Sequence, residues 1–348
     1  NISTKSEPEI EKKGTFASPA IAFASKVLPV PGGPNSRAPL GIFAPMFKYF
    51  FGFFKNPTIS CNSTFASSQP ATSEKRTLGL SDDDLIILYE IFMHINSHCG
   101  IDLYNYRLST VIRRIHRRMT INGYRNFKDY YRFMLNGSDE TNLLYRDILI
   151  GVTSFFRDKK AFTSLYANAL PIIFSNPGKL INVWNIGCST GEETYTLAMI
   201  FNDYMEQNNI HKTIKILATD SNSHSINIAD KGVYSTKSKI HLTDTQLSKY
   251  FTLHDDKYHV KPILKSMIHF NVHDIITDKY YSNFDLIVCR NLLIYFRNDL
   301  QTRLIPLLIG SVRHKGILFL GPAESIGANH NSTVTLDKYR NIYQVVKT

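Results

Sequence analysis

A chain of 348 residues has room for two or three domains with sizeable cores, at roughly 100 to 200 residues per domain. Its 43% hydrophobic and 20% charged residues exclude a fibre, a coiled coil or a wholly disordered protein. The net charge of +11 is concentrated: residues 104–132 hold eight Lys/Arg against one Asp, and residues 1–80 hold nine against four acids.

Residues 1–80 carry nine of the 14 prolines and ten serines without a sustained period, and read as a linker or poorly ordered tail. The alternative is an interfacial membrane anchor built on Phe43, Phe47, Phe50, Phe51, Phe53 and Phe54, although no sorted polar face accompanies them. A membrane-spanning helix needs roughly 20 uninterrupted apolar residues. The nearest run, Leu40 to Phe54, is broken by Pro45, Lys48 and Gly52. No basic n-region leads into an apolar h-region, so no secretory signal is expected. Cys61, Cys99, Cys188 and Cys289 are too scattered for a disulfide framework and form no C-x-x-C pair, which fits a reducing cytoplasm.

From Ser81 the pattern turns helical, with Ser81 as N-cap, Asp82, Asp83 and Asp84 in the first turn, and Leu85, Leu88, Ile91, Phe92 and Ile95 at helical spacing. A second helix is expected from about Asn105 to Thr120, with Leu108, Val111, Ile112, Ile115 and Met119 as its apolar stripe. Arg113, Arg114 and Arg117 point away from that stripe and Arg118 lies at its border. Helices at Asn126–Leu135 and Glu140–Ile150 complete a helical N-terminal domain over residues 81–165. His94 and His98 lie at i, i+4, but without the glutamate of H-E-x-x-H no metal is expected. Over 166–348, after a helical stretch Leu165–Phe174, strand-like runs at Ile181–Ile186, Ile214–Ala218, Asp285–Val288 and Gly316–Leu320 alternate with helical stretches at Glu192–Met205, Ser223–Lys231 and Asp299–Val312. Such alternation predicts an α/β, doubly wound, mostly parallel sheet. Residues 249–270 read as a small β-hairpin insertion, and Thr333–Thr348 as a closing antiparallel pair.

The strand Val183-Trp184-Asn185-Ile186 runs into Gly187-Cys188-Ser189-Thr190-Gly191-Glu192-Glu193 and then a helix, the junction at which open sheets bind nucleotides. Glycines there let a ligand approach the backbone. The next strand ends in Asp220, 29 residues beyond Gly191, placed to accept hydrogen bonds from both hydroxyls of a ribose. Glu192 and Glu193 stand where a dinucleotide would put its pyrophosphate, and no Lys-Ser or Lys-Thr follows as in a phosphate-binding loop. A phosphate-free, cationic nucleoside such as S-adenosylmethionine fits better; the alternative is that the glutamates only favour the helix N-terminus through its dipole.

Thr153-Ser154-Phe155-Phe156-Arg157, Ser189-Thr190-Gly191-Glu192-Glu193-x-Tyr195, Ala218-Thr219-Asp220 and Cys289-Arg290-Asn291-Leu292-Leu293-Ile294-Tyr295-Phe296 occur in the order and spacing of the CheR-type chemotaxis methyltransferases, and the chain resembles that family from about Ser81 to Val346. The resemblance implies a class I methyltransferase sheet behind an all-α domain, with methyl transfer from S-adenosylmethionine to glutamates of chemoreceptors. By position it puts cofactor contacts on Thr153, Arg157, Glu192, Glu193, Asp220, Asn271, Val272, Arg290 and Asn291. Gly151 stands where the family commonly has an asparagine ligand, and Thr194 replaces a proline. The hairpin insertion looks several residues shorter than in members that grip a receptor's C-terminal peptide, so tethering is not carried over. Gly321-Pro322-Ala323-Glu324-Ser325-Ile326-Gly327 is closer to members fused to other signalling domains, and residues 1–80 match nothing in the family.

A glutamate acceptor is already ionised near pH 7, so methyl transfer needs alignment and desolvation rather than a general base. Arg157 would hold the acceptor carboxylate or brace the cofactor, and Tyr295 would lie beside the methyl group; a surface ion pair and a core edge are the alternatives. Neither Cys188 nor Cys289 reads as a nucleophile. For the basic helix, Arg113, Arg114 and Arg117 complement an acidic receptor bundle as substrate-binding residues. Nucleic acid is less suited, since no aromatic residues interleave with these arginines; a merely solvated face is the third possibility. The rival functions are a nucleic-acid or small-molecule methyltransferase on the same fold and a non-catalytic cofactor-binding signalling module.

Overall fold

The computed structural model describes residues 79–346 apart from 138 and 150. The tail and aromatic anchor read into the first 80 residues therefore lie outside the described residues, save Gly79 and Leu80. Helix α1 (Asp82–Cys99) opens on a reciprocal capping box: Asp84 N–H donates to Ser81 Oγ, and the Asp84 carboxylate accepts from Ser81 N–H. Helix α2 (Leu108–Ile121) starts later than expected, because Asp102 caps a 3₁₀ turn at Leu103–Asn105 and Tyr106 is then drawn out straight. Helices α3 (Phe127–Leu135) and α4 (Glu140–Ile148) close the all-α domain. Helix α5 (Lys159–Ser164) continues through a π-helical turn (Leu165–Ala169) into α6 (Leu170–Ser175), so the expected boundary at 165/166 falls inside one helical rod. Phe155, Phe162 and Leu165 already share the core of the sheet.

The remaining elements are β1 (Leu180–Ile186), α7 (Glu192–Gln207), β2 (Thr213–Asp220), α8 (Ser223–Lys231), β3 (Val233–Ser235), α9 (Asp244–Tyr250), β4 (Phe251–His254), β5 (Lys257–Val260), α10 (Pro262–Lys265), β6 (Ile268–Val272), β7 (Phe284–Cys289), α11 (Asn298–Ser311), β8 (Val312–Leu320), β9 (Thr333–Asp337) and β10 (Ile342–Val345). The main sheet has the order β6-β2-β1-β7-β8-β10-β9, parallel through β8 and antiparallel at β10 and β9. All six residues of β7 are buried, as a parallel strand covered on both faces requires. The insertion departs from the expected hairpin in two ways. It has a third strand, β3, in the order β3-β5-β4, and Ile268–Phe270 leave it to pair with β2 as part of β6. Parallel pairing needs a crossover, which α8 and the insertion supply.

Alternation along the strands gives the sheet two cores. Trp184, Ile287 and Leu318 are cross-strand neighbours in β1, β7 and β8, and they face α11 and the all-α domain. Val183, Leu286 and Ile317, one residue back in each strand, face α5, α6 and α7 instead. No described helix is long and apolar enough to cross a membrane.

Candidate active site

The turn between β1 and α7 is built on left-handed backbone at Gly187 (φ +71°), Ser189 (φ +49°) and Gly191 (φ +93°). A Cβ at Gly191 would lie 2.8 Å from Ala229 Cβ, and one at Gly187 would lie 3.1 Å from a Leu292 methyl. These glycines are therefore demanded by φ and by packing against the protein itself.

The two glutamates at the start of α7, both buried, have different partners. Glu193 accepts from Asn185 Nδ2 at 3.0 Å and from Arg290 Nη1 at 3.0 Å. That arginine lies against the rings of Phe162 and Phe319, which meet edge to face, and is 3.5 Å from Asp158. Glu193 and Arg290 thus neutralise each other's charge, while the buried Arg290 Nε has no partner among the described residues. Glu192 accepts from Thr190 Oγ1 at 2.7 Å and forms no ion pair among the described residues; burial pushes its carboxyl up.

Asp220, at the end of β2, accepts the Ser189 N–H on one oxygen and the Asn222 N–H on the other, each at 2.9 Å. Burial raises its pKa too, against those two hydrogen bonds. Across the β2–β6 ladder it pairs with Val272, whose side chain is 49% exposed beside it, and Asn271 Nδ2 donates to Tyr281 Oη at 3.3 Å. One rim thus presents an acid and an apolar surface together.

The connector from the all-α domain passes the same turn. A Cβ at Gly151 would come within 2.9 Å of Ser189 Oγ, a buried hydroxyl without a hydrogen-bond partner among the described residues. Phe156 and Asp158 are left-handed, and Phe156 N–H donates to Thr196 Oγ1 of α7. Thr153 and Arg157 are half-buried there; Arg157 Nη1 donates to Val152 O at 2.7 Å, and its own carbonyl accepts from Arg290 Nη1 at 3.4 Å. Opposite, after β7, Asn291 is left-handed (φ +58°) and leads into a 3₁₀ turn at Leu293–Tyr295. The half-buried Tyr295 lies at the seam with the all-α domain: its carbonyl accepts Arg107 N–H at 2.8 Å, Arg297 N–H donates to Asn105 O at 3.0 Å, and Tyr106 bridges Phe296 between them.

The basic helix corrects one expectation. Arg113 and Arg117 are exposed, but Arg114 is half-buried, with a buried Nε that has no partner among the described residues. Arg117 is also paired with Asp147 of α4 at 2.6 Å. Arg118 turns inward onto Glu140 with two bonds of 2.8 and 2.6 Å, and Tyr130 Oη donates to the same carboxylate at 2.7 Å. Packing of α4 against α2 brings both acids within reach.

The CheR methyltransferase SAM-binding domain matches residues 151–341, and the CheR methyltransferase all-alpha domain matches residues 88–149. The chain belongs to the CheR methyltransferase family. It is 32% identical over 263 residues to a chemotaxis protein methyltransferase of Borreliella burgdorferi, covering 73% of this chain and 92% of that one. A second chemotaxis protein methyltransferase, of Listeria monocytogenes, is 32% identical over 227 residues, 65% of this chain and 85% of its own. An uncharacterized 104.1 kDa protein of Rhodobacter capsulatus is 34% identical over 249 residues, 71% of this chain, and there the chain spans only 26% of the relative's length.

The cofactor of this CheR domain is S-adenosylmethionine, and the donor set fits it. Among the described residues, Glu192 and Asp220 are held by a hydroxyl and main-chain N–H groups and by no cation, which suits a ligand that brings a positive charge and hydroxyl donors. Sequence reasoning missed Glu324, whose buried carboxylate accepts four backbone N–H groups from two loops. It also missed the Glu140 cluster. The segment holding Glu324 stands out in the sequence but its role does not, because three of its four donors lie 31 to 33 residues away, and Arg118 lies 22 residues from Glu140 without periodic spacing.

Proposed function

We propose that this CheR family protein transfers the methyl group of S-adenosylmethionine to glutamate side chains of chemoreceptors, giving methyl esters in chemotaxis adaptation, and that it does so in the cytoplasm. The observation that carries the reading is the contrast within the glutamate pair: Glu193 is neutralised by Arg290, while the buried Glu192, like the half-buried Asp220, has no cationic partner among the described residues. In this reading Glu192 receives the ammonium group and Asp220 the ribose hydroxyls, with Asn271 and Val272 along the adenine. Thr153, Arg157 and Asn291 close the site from the connector and the opposite turn, and Glu193 and Arg290 brace it from behind. When bound, the cofactor would supply an electrophilic methyl on a sulfonium for an acceptor carboxylate oxygen, with the neutral thioether as leaving group. Arg157 and Tyr295 orient the acceptor carboxylate, and exclusion of water strengthens that alignment. The names of the relatives, chemotaxis protein methyltransferases, and the exposed Arg113 and Arg117 support an acidic receptor bundle as substrate.

The test is incubation with methyl-labelled cofactor and a receptor cytoplasmic fragment. Base-labile label on the receptor is expected; base-stable label, or label only on added nucleic acid, would overturn the glutamate ester. In the same assay Arg157→Ala should lower turnover about 100-fold at saturating cofactor, the cost of misplacing reactants by about an ångström, and full turnover would remove it from the chemistry.

A further inference from the structure

Glu324 is 4% exposed, and its carboxylate is filled by main-chain donors alone. One oxygen accepts Leu292 N–H and Leu293 N–H, each at 2.8 Å, and the other accepts Asn291 N–H at 3.0 Å and Gly321 N–H at 2.6 Å. An ionised carboxylate offers about four acceptor positions, so the group is saturated and its charge is met by peptide dipoles rather than by a cationic side chain. Its own loop is pinned from the turn before β10, where Asn341 Nδ2 donates to Gly321 O at 2.7 Å and to Glu324 O at 2.9 Å. The fit leaves no slack. A Cβ at Gly321 would stand 2.6 Å from a Glu324 carboxylate oxygen and 2.7 Å from Asn291 N.

The carboxylate joins the exits of β7 and β8, at the carboxyl end of the sheet where open α/β sheets act. Asn291 adopts a left-handed conformation, which asparagine tolerates better than most non-glycine residues. Three consecutive N–H groups held by one anion impose it here. The turn they form delivers Tyr295, whose carbonyl receives Arg107 N–H from the all-α domain. We propose that Glu324 is a positioning residue for methyl transfer: its charge sets the Asn291–Leu293 turn and through it the placement of Asn291 and Tyr295 against the acceptor. The inference rests on the methyltransferase reading above.

Two variants of the full chain test it. Glu324→Gln keeps the size but turns an N–H₂ toward two of the four N–H donors, and Gly321→Ala keeps the carboxylate but crowds Asn291 N. For wild type and both variants, kcat per folded molecule with the receptor fragment is measured well below the thermal midpoint, alongside the Kd for S-adenosylhomocysteine by calorimetry. Both variants should lose at least tenfold in kcat while that Kd rises by a smaller factor than kcat falls, because Asn291 is the cofactor contact carried by this turn whereas Asp220 and Glu192 draw on other donors. Glu324→Asp, with the charge retained, should recover part of the Gln loss. Unchanged kcat per folded molecule with only a lowered midpoint, or failure of both variants to fold, would make Glu324 a structural tie and overturn the proposal. A wild-type chain that binds S-adenosylhomocysteine yet esterifies no receptor would instead overturn the glutamate reading, and this inference with it.

Discussion

Asp220 and Glu192 show what single residues contribute. Burial raises both carboxyls above their ordinary values. Relative to the unfolded chain, their ionised forms therefore cost stability above the raised pKa, and the cost is relieved as pH falls through it. Cation binding has the opposite sign, since it needs the ionised forms. Affinity for S-adenosylmethionine should thus weaken on acidification, starting at a pH above the ordinary carboxylate range. Asp220→Ala should weaken S-adenosylmethionine and S-adenosylhomocysteine together by about 1–3 kcal/mol, with a smaller loss in acid; calorimetry finding both affinities unchanged would take Asp220 out of the site. Asp220 was legible because a strand-end acid after a glycine turn has a known geometry. The division of labour between Glu192 and Glu193 was not, since it depends on Arg290, 97 residues away from Glu193.

Among the elements, α2 carries both an inward and an outward charge. Glu140 is 2% exposed; burial raises its carboxyl, but the bonds from Arg118 and Tyr130 outweigh that and hold it below its ordinary value. Its stabilising contribution is accordingly present above the unfolded carboxyl pKa and lost as pH falls through the lowered folded value, the reverse of Asp220. Removing Glu140 leaves the half-buried Arg118 and the buried Tyr130 hydroxyl without that carboxylate, so Glu140→Ala should cost about 1–3 kcal/mol in denaturant unfolding. Replacing exposed Arg113 and Arg117 together by Ala should cost under about 1 kcal/mol yet lower receptor methylation and flatten its dependence on salt. Methylation and salt response equal to wild type would leave that face merely solvated. The apolar stripe of α2 was readable from period alone, but its first residue was not, because Tyr106 is claimed by a strand-like partner far along the chain. Strand β3, three residues long, was too short to show a period.

At the scale of the molecule, residues of α1 to α4 share one continuous core with Trp184, Ile287 and Leu318 of the sheet and with α11. The two family-matched regions should therefore unfold as a unit, with coincident midpoints for Trp184 fluorescence and far-UV circular dichroism; separate midpoints would show that the shared core is not cooperative. Composition and period distinguished the two halves of the chain, but could not reveal that they bury the same surface. The seam between those halves also bears on the order in which the protein acquires its shape. Arg107 Nε reaches Phe296 O across 189 residues of chain, beside the main-chain bonds at Tyr106. The entropy of closing so long a loop is repaid only after the contacts at both ends exist. The all-α bundle and the sheet are thus the early products of folding and the joint at Tyr106 and Phe296 a late one. A nascent chain halted just before that step would lack both the core its two halves share and the bond from Arg107 to the Tyr295 carbonyl, and so would have no working centre.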